Sequence, residues 1–214
     1  FVVEGLTLRK GGNGGLRAEV GPSGEVLVDN NFISGNTSTD GGGVYLSATT
    51  VTFTNNDISG NTASYSFPSN SGGYGGGVYL KATTTTLTNN DISGNISSYG
   101  SGGVYLVTTT ATLANNNISG NSGGGVYLSA TTATLTNNDI SGNTSRVTYY
   151  SSNPSHGGYG GGVYLFATTA TLANNDISDN TVSGYSCYGG GVYITGITAT
   201  LNNNGISGNT ASCS

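Results

Sequence analysis

The feature that most constrains this chain is a module that keeps fixed internal spacing while the distance between modules varies. Gly-Gly-Gly-Val-Tyr-Leu is followed by a threonine-rich run, then by Leu/Phe-x-Asn-Asn-Asp-Ile-Ser-Gly-Asn. The first apolar anchors are Val44, Val78, Val104, Val126, Val163 and Val192, with Leu16 in a degenerate earlier copy. The second are Val28, Phe53, Leu87, Leu113, Leu135, Leu172 and Leu201, and the third are Ile33, Ile58, Ile92, Ile118, Ile140, Ile177 and Ile206. In the six full copies the first step is always 9 residues and the second always 5. Length varies only between Ser-Gly-Asn and the next Gly-Gly. The shortest copy spans 22 residues, Val104 to Val126, and others insert Thr62–Tyr74, Ile96–Gly100, Thr144–Tyr159 and Thr181–Tyr188. A solenoid behaves this way, because each coil packs on its neighbours and loops leave from one edge.

The anchors lie in alternating runs such as Val44-Tyr45-Leu46 and Val51-Thr52-Phe53, and period two means strands. Val, Thr, Tyr and Ile suit strands, while the Gly-rich and Asn-rich stretches suit corners. Three short strands per 22-residue turn predict an all-β parallel β-helix of about seven coils, with loops inserted at one edge. At ~4.8 Å per coil that is a rod about 34 Å long. Hydrophobic residues make up only 34% of the chain. A stack explains this, because each coil needs few inward side chains. The division expected is a single domain over 1–214: a degenerate first coil at 1–36, six full repeats at 37–209 and a tail at 210–214. A chain that begins at Phe1 rather than Met is expected to be a processed product or a fragment.

Two motifs carry a family resemblance. Phe53-Thr54-Asn55-Asn56 fits a Phe-x-x-Asn motif, and Gly41-Gly42-Gly43-Val44 resembles Gly-Gly-Ala-Ile. Together they resemble the repeats of polymorphic outer-membrane proteins and of bacterial secreted right-handed parallel β-helix repeat proteins. The resemblance runs from about Gly5 to Asn209. It implies a right-handed coil, secretion, and adhesin-type or surface-structural roles.

Equivalent positions of a solenoid stack, so function is sought in columns. Three columns of asparagine are expected at the corners, where the amides ladder from coil to coil and Asn tolerates left-handed backbone. They begin at Asn30, Asn31 and Asn36 and recur in every later coil. Two columns are wholly threonine: Thr50, Thr84, Thr110, Thr132, Thr169 and Thr198, then Thr52, Thr86, Thr112, Thr134, Thr171 and Thr200. They form a Thr-x-Thr array of the kind ice-binding β-solenoids present, although β-propensity alone also favours Thr on exposed strands. Tyr45, Tyr79, Tyr105, Tyr127, Tyr164 and Tyr193 form an outward stripe, suited to ring packing or to an interaction surface. Asp57, Asp91, Asp139 and Asp176, interrupted by Asn117, are solvated turn residues or candidate Ca²⁺ ligands. The insertions carry Tyr65, Phe67, Tyr74, Tyr149, Tyr150, Tyr159, Tyr185 and Tyr188. Cys187 and Cys213 fall in equivalent insertions of adjacent coils, which predicts a disulfide and an oxidising, extracellular setting.

Five Lys and Arg against ten Asp and Glu leave almost nothing to neutralise phosphates, which argues against nucleic acid. No apolar run approaches the ~18 residues a membrane span needs. The one histidine, His156, sits in a Ser/Gly/Tyr loop, and no nucleophile constellation accompanies the repeating carboxylates. A non-enzymatic extracellular protein is expected: a surface adhesin or filament subunit, with ice binding through the Thr face as the alternative. Polysaccharide binding or cleavage is a remote third. Expected partners are other copies, by end-to-end stacking or lateral contact, and carbohydrate or a host or cell surface. No resident cofactor is expected beyond the candidate Ca²⁺.

Overall fold

In a computed structural model, the chain is all-β and its coils stack in parallel register. The structure describes all residues except 22, 67–70, 147–157, 185, 186 and 214. The main sheet is built from Val2–Glu4, Glu25–Asp29, Val44–Thr54, Val78–Thr88, Val104–Ala114, Val126–Thr136, Val163–Ala173 and Val192–Asn202, in that order. Leu16–Glu19 pairs with the first half of Val44–Thr54. A second sheet stacks the three-residue strands at Thr7–Arg9, Phe32–Ser34, Asp57–Ser59 and each later Ile anchor. Short strands after Ser-Gly-Asn, such as Thr37–Ser38 and Thr62–Ala63, close the coils, and in the shortest coil Ser122 does so by single bridges to Ile96 and Thr144.

The coil keeps three strands, but their division differs from the expected one. The Val-Tyr-Leu and Thr-x-Leu runs merge into one strand of 11 residues, Val44–Thr54 in the second coil. Inward positions run 44 and 46, then 51 and 53, so the alternation shifts parity between them. The shift falls at Thr49, Thr83, Thr109, Thr131, Thr168 and Ile197, which are left out of the ladder register. A shift of parity at the same place in every coil turns the strand without ending it. Each long strand is therefore a corner with a flat face on either side.

The expected first coil, 1–36, contains two levels. Val2–Glu4 pairs with Leu27–Asp29, and Thr7–Arg9 with Phe32–Ser34, so Phe1–Lys10 adds a partial rung. Its pattern is degenerate because Gly5 and Lys10 take the left-handed corners where later coils have Asn and Gly. Leu6 and Gly11 stand at the ladder positions and donate only backbone N–H, to Asn31 Oδ1 and Asn36 Oδ1.

The core is one column of Val, Leu, Ile, Phe and Ala side chains, from Val3 to Ile177, with every anchor of the central coils at 0–1% exposure. Flanking it, two asparagine columns are buried and the third is not. Asn116 shows the unit. Its backbone N–H and its Nδ2 both donate to Asn138 Oδ1, its Nδ2 also donates to Leu87 O, and its Oδ1 accepts from Asn90. The column from Asn36 to Asn209 repeats the pattern, as with Asn121 on Asn143 and Ile92 O. Such a ladder satisfies amides that would otherwise be stranded inside, each at about 1–3 kcal/mol. The column from Asn30 to Asn203 is different: its members hold φ between 53° and 57° and lie at the surface. Here Asn serves the backbone, because its short polar side chain tolerates the left-handed region. Gly43 shows why the Gly run is fixed, since a Cβ there would lie 2.6 Å from Gly77 O and 2.9 Å from Asn61 Nδ2.

Candidate functional site

The corner in each long strand separates two outward faces, and the structure places the threonines on one and the tyrosines on the other. Thr50, Thr84, Thr110, Thr132, Thr169 and Thr198 are paired coil to coil, as are Thr52, Thr86, Thr112, Thr134, Thr171 and Thr200. The neighbouring row is Thr54, Thr88, Ala114, Thr136, Ala173 and Asn202. None of these eighteen positions is charged. The face ends at the coil below, where Glu25, Leu27 and Asp29 pair with Thr50, Thr52 and Thr54. Parallel-sheet geometry spaces the hydroxyls ~4.8 Å between coils and ~6.6 Å along each strand. The face is therefore a lattice of alternating methyl and hydroxyl groups, half-buried or exposed throughout. Thr85 is the exception in the run: it replaces an inward Val or Ala, is fully buried, and donates to Thr108 Oγ1.

The tyrosine column also has its expected register, but it is not an open stripe. Successive centroids are 5.2, 5.0, 4.3, 5.1 and 5.3 Å apart from Tyr45 to Tyr193. Tyr105 and Tyr127 lie flat on each other, 4° from parallel. Tyr45–Tyr79 and Tyr79–Tyr105 meet edge to face while Tyr105–Tyr127 and Tyr164–Tyr193 stack, so each ring spends part of its surface on its neighbours. Arg17, in the coil below, sits 4.1 Å from the Tyr45 centroid and ion-pairs with Glu19. Loop tyrosines add cover: Tyr74 packs on Tyr79, Tyr99 and Tyr105, Tyr65 on Tyr99, and Tyr188 on Tyr193. As a result Tyr45 and Tyr79 retain only 9% and 6% exposure. Burial, followed by the neighbouring phenol of Tyr127, pushes the Tyr105 hydroxyl far above the ordinary tyrosine range. Burial first raises Tyr74, Tyr79 and Tyr99 as well. The clue available in the sequence was the tyrosine content of the insertions, which matches the column they cover. Phe67, Tyr149, Tyr150, Tyr185 and His156 lie outside the described residues.

The carboxylates pair as expected, Asp57 with Asp91 and Asp139 with Asp176, one coil apart, and Asn117 intervenes between them. Burial, then the charge of Asp57, raises the Asp91 carboxyl above its usual value. Asn117 Nδ2 approaches Asp91 Oδ1 at 3.4 Å. Among the described residues no three His, Cys, Asp or Glu side chains are grouped to hold a metal ion. Cys187 and Cys213 form the expected disulfide, their Cα atoms 5.7 Å apart, which ties the last closing strand to the insertion beneath it. No helix is long and apolar enough to cross a membrane, among the described residues.

A stack of identical parallel coils with flat outward faces defines a repeat scaffold. The chain belongs to the right-handed β-helix family, whose model for a right handed beta helix region matches residues 76–214. No curated protein and no solved structure matches the chain. The family holds both enzymes and non-enzymes, so function has to be argued from the faces.

Proposed function

We propose that this chain is a non-enzymatic extracellular scaffold whose working surface is the threonine face, in the manner of a surface adhesin or structural subunit. The observation that carries this is the coil-for-coil register of twelve threonines on a charge-free plane. An exposed strand needs β-branched residues somewhere, but it does not need the same one at both positions of six coils. A periodic face suits a periodic partner: a hydroxylated polymer, or a cell surface built of one. The aromatic row supports the same choice, since its rings pack on one another and on loop tyrosines and are buried or half-buried. The disulfide supports an oxidising compartment.

Ice is the second reading, and the same lattice favours it. Water ordered at ~4.8 by ~6.6 Å on methyl and hydroxyl groups is a template that charge would disrupt. Adsorption of the fluorescently labelled chain to crystalline cellulose and to growing ice tests both. Retention on cellulose supports the adhesive role and retention in ice the second. In either case Thr134→Tyr abolishes retention with the coil intact. If neither solid retains the native chain, or the variant is retained equally, the threonine face is not the working surface.

A further inference from the structure

The tyrosine contacts join into one continuous path with an exposed ring at each end. Tyr65, 40% exposed, packs on Tyr99 with centroids 6.1 Å apart, and Tyr99 meets Tyr74 at 5.6 Å. Tyr74 joins the column at Tyr105, 4.9 Å away. The column carries on through Tyr127 and Tyr164 to Tyr193 at 4.3, 5.1 and 5.3 Å. Tyr193 then meets Tyr188, 5.2 Å away and 44% exposed. Every ring between the two ends is half-buried. Packing accounts for the rings but not for their hydroxyls. Phenylalanine would fill the same space with no polar group to desolvate, yet every ring of the path is a phenol and none of the chain's five phenylalanines stands in it. What the hydroxyl adds is one-electron chemistry. The chain has no Met and no Trp, and Cys187 and Cys213 are tied in a disulfide, so the common sinks for an oxidant are missing and the phenols are the groups most readily oxidised.

We propose that this path is a relay that carries a one-electron oxidation between Tyr65 and Tyr188. A one-electron oxidant of the ruthenium(III) or peroxidase class takes an electron from the Tyr65 phenol, and the hydroxyl proton goes to water. The phenoxyl radical then takes an electron and a proton from Tyr99, which restores Tyr65 as a phenol and moves the radical one ring onward. Repeated to the far end, the sum is simple: the oxidant gains one electron, Tyr188 becomes a phenoxyl radical, one proton enters water, and every ring between is a phenol again. The Tyr105 and Tyr127 hydroxyls are hydrogen-bonded to each other, which gives the proton a path across the closest step. Burial disfavours a charged phenolate at Tyr74, Tyr99 and Tyr105, so electron and proton move together there. The ends lie four coils apart, ~19 Å along the rod, so an oxidant meeting one end modifies a phenol near the other.

A photo-oxidant fixed at one end tests the relay. Thr39 is exposed, and its carbonyl accepts from Gly73 N–H, next to Gly72, which pairs with Tyr65. Thr39→Cys therefore holds a ruthenium complex at the Tyr65 end, with the native cysteines protected in their disulfide. A flash with a sacrificial quencher generates ruthenium(III), a nitroso spin trap captures the radical, and mass spectrometry locates the adduct. The adduct is expected at Tyr188 as well as at Tyr65. Tyr127→Phe combined with Tyr164→Phe keeps the rings and removes two successive phenols. That variant is expected to keep the native melting temperature and the Tyr65 adduct and to lose the one at Tyr188. Dye-free chain with a heavy-isotope label, mixed into the parent sample, is expected to stay unmarked. No adduct at Tyr188 in the parent, an equal adduct there in the double variant, or equal marking of the heavy chain overturns the proposal.

Discussion

Asn115 and Asn116 are neighbours of identical chemistry that the coil uses in opposite ways, and substituting each separates the roles. Asn116 is buried, and its amide makes four hydrogen bonds: two donated, to Leu87 O and Asn138 Oδ1, and two accepted, from Asn90 N–H and Nδ2. Asn116→Ala strands the buried Asn90 N–H and removes a donor from Leu87 O. At about 1–3 kcal/mol for each stranded group, the loss is about 4 kcal/mol, a large part of a domain's typical stability. For a chain of this size that lowers Tm by about 8–16 °C. Asn115 is exposed at φ 56°, so Asn115→Ala costs only left-handed strain, about 1 kcal/mol and a few degrees, and Asn115→Gly costs less still. The assay is the far-ultraviolet circular dichroism melt of each variant. Equal shifts for Asn115→Ala and Asn116→Ala, or a shift of only a few degrees for the latter, would refute the ladder as the source of stability.

Further outcomes follow from the site. Asp91 has its carboxyl raised, so the protonated form is favoured in the fold; stability is then fully present below the unfolded value of 3.8 and declines as pH rises past it. Asp91→Asn, the residue the next coil carries at Asn117, flattens that part of the melting profile and raises stability at pH 7 slightly, by less than about 1 kcal/mol. Tyr74, Tyr79, Tyr99 and Tyr105 are raised above 10.0, so their contribution holds below pH 10 and is lost in alkali. Absorbance at a phenolate band should show these hydroxyls ionising only as the coil opens. Cys213→Ser removes a link closing a 26-residue separation, worth about 3.5 kcal/mol by loop entropy. Hydrogen exchange should then rise in Val192–Asn202 and stay unchanged in Val104–Ala114.

The 9 and 5 spacing was enough to predict the coil, its register and the threonine and tyrosine columns, because stacking forces equivalent positions together; the disulfide was legible instead from two cysteines in the insertions of adjacent coils. What the sequence hid were effects that depend on the third dimension. The merger of two strands into Val44–Thr54 was concealed because a bend at Thr49 looks like a break in alternation. The partial rung at Phe1–Lys10 was concealed because Leu6 and Gly11 replace the ladder asparagines there. The three asparagine columns look alike as letters, yet Asn115 serves the backbone and Asn116 the interior. The tyrosine row read as exposed because alternation tells which side of a strand a residue faces, not what folds over that side. Tyr74 supplies that cover from a loop of irregular length.

Every face described depends on the coils stacking in register, and one distance tests that. Spin labels at Ser47→Cys and Thr195→Cys sit at equivalent positions five coils apart, with the native cysteines protected in their disulfide. Pulsed dipolar spectroscopy should give a narrow distribution corresponding to about 24 Å between backbones. A broad distribution, or a mean far from that value, would contradict the coil stack and with it the threonine lattice.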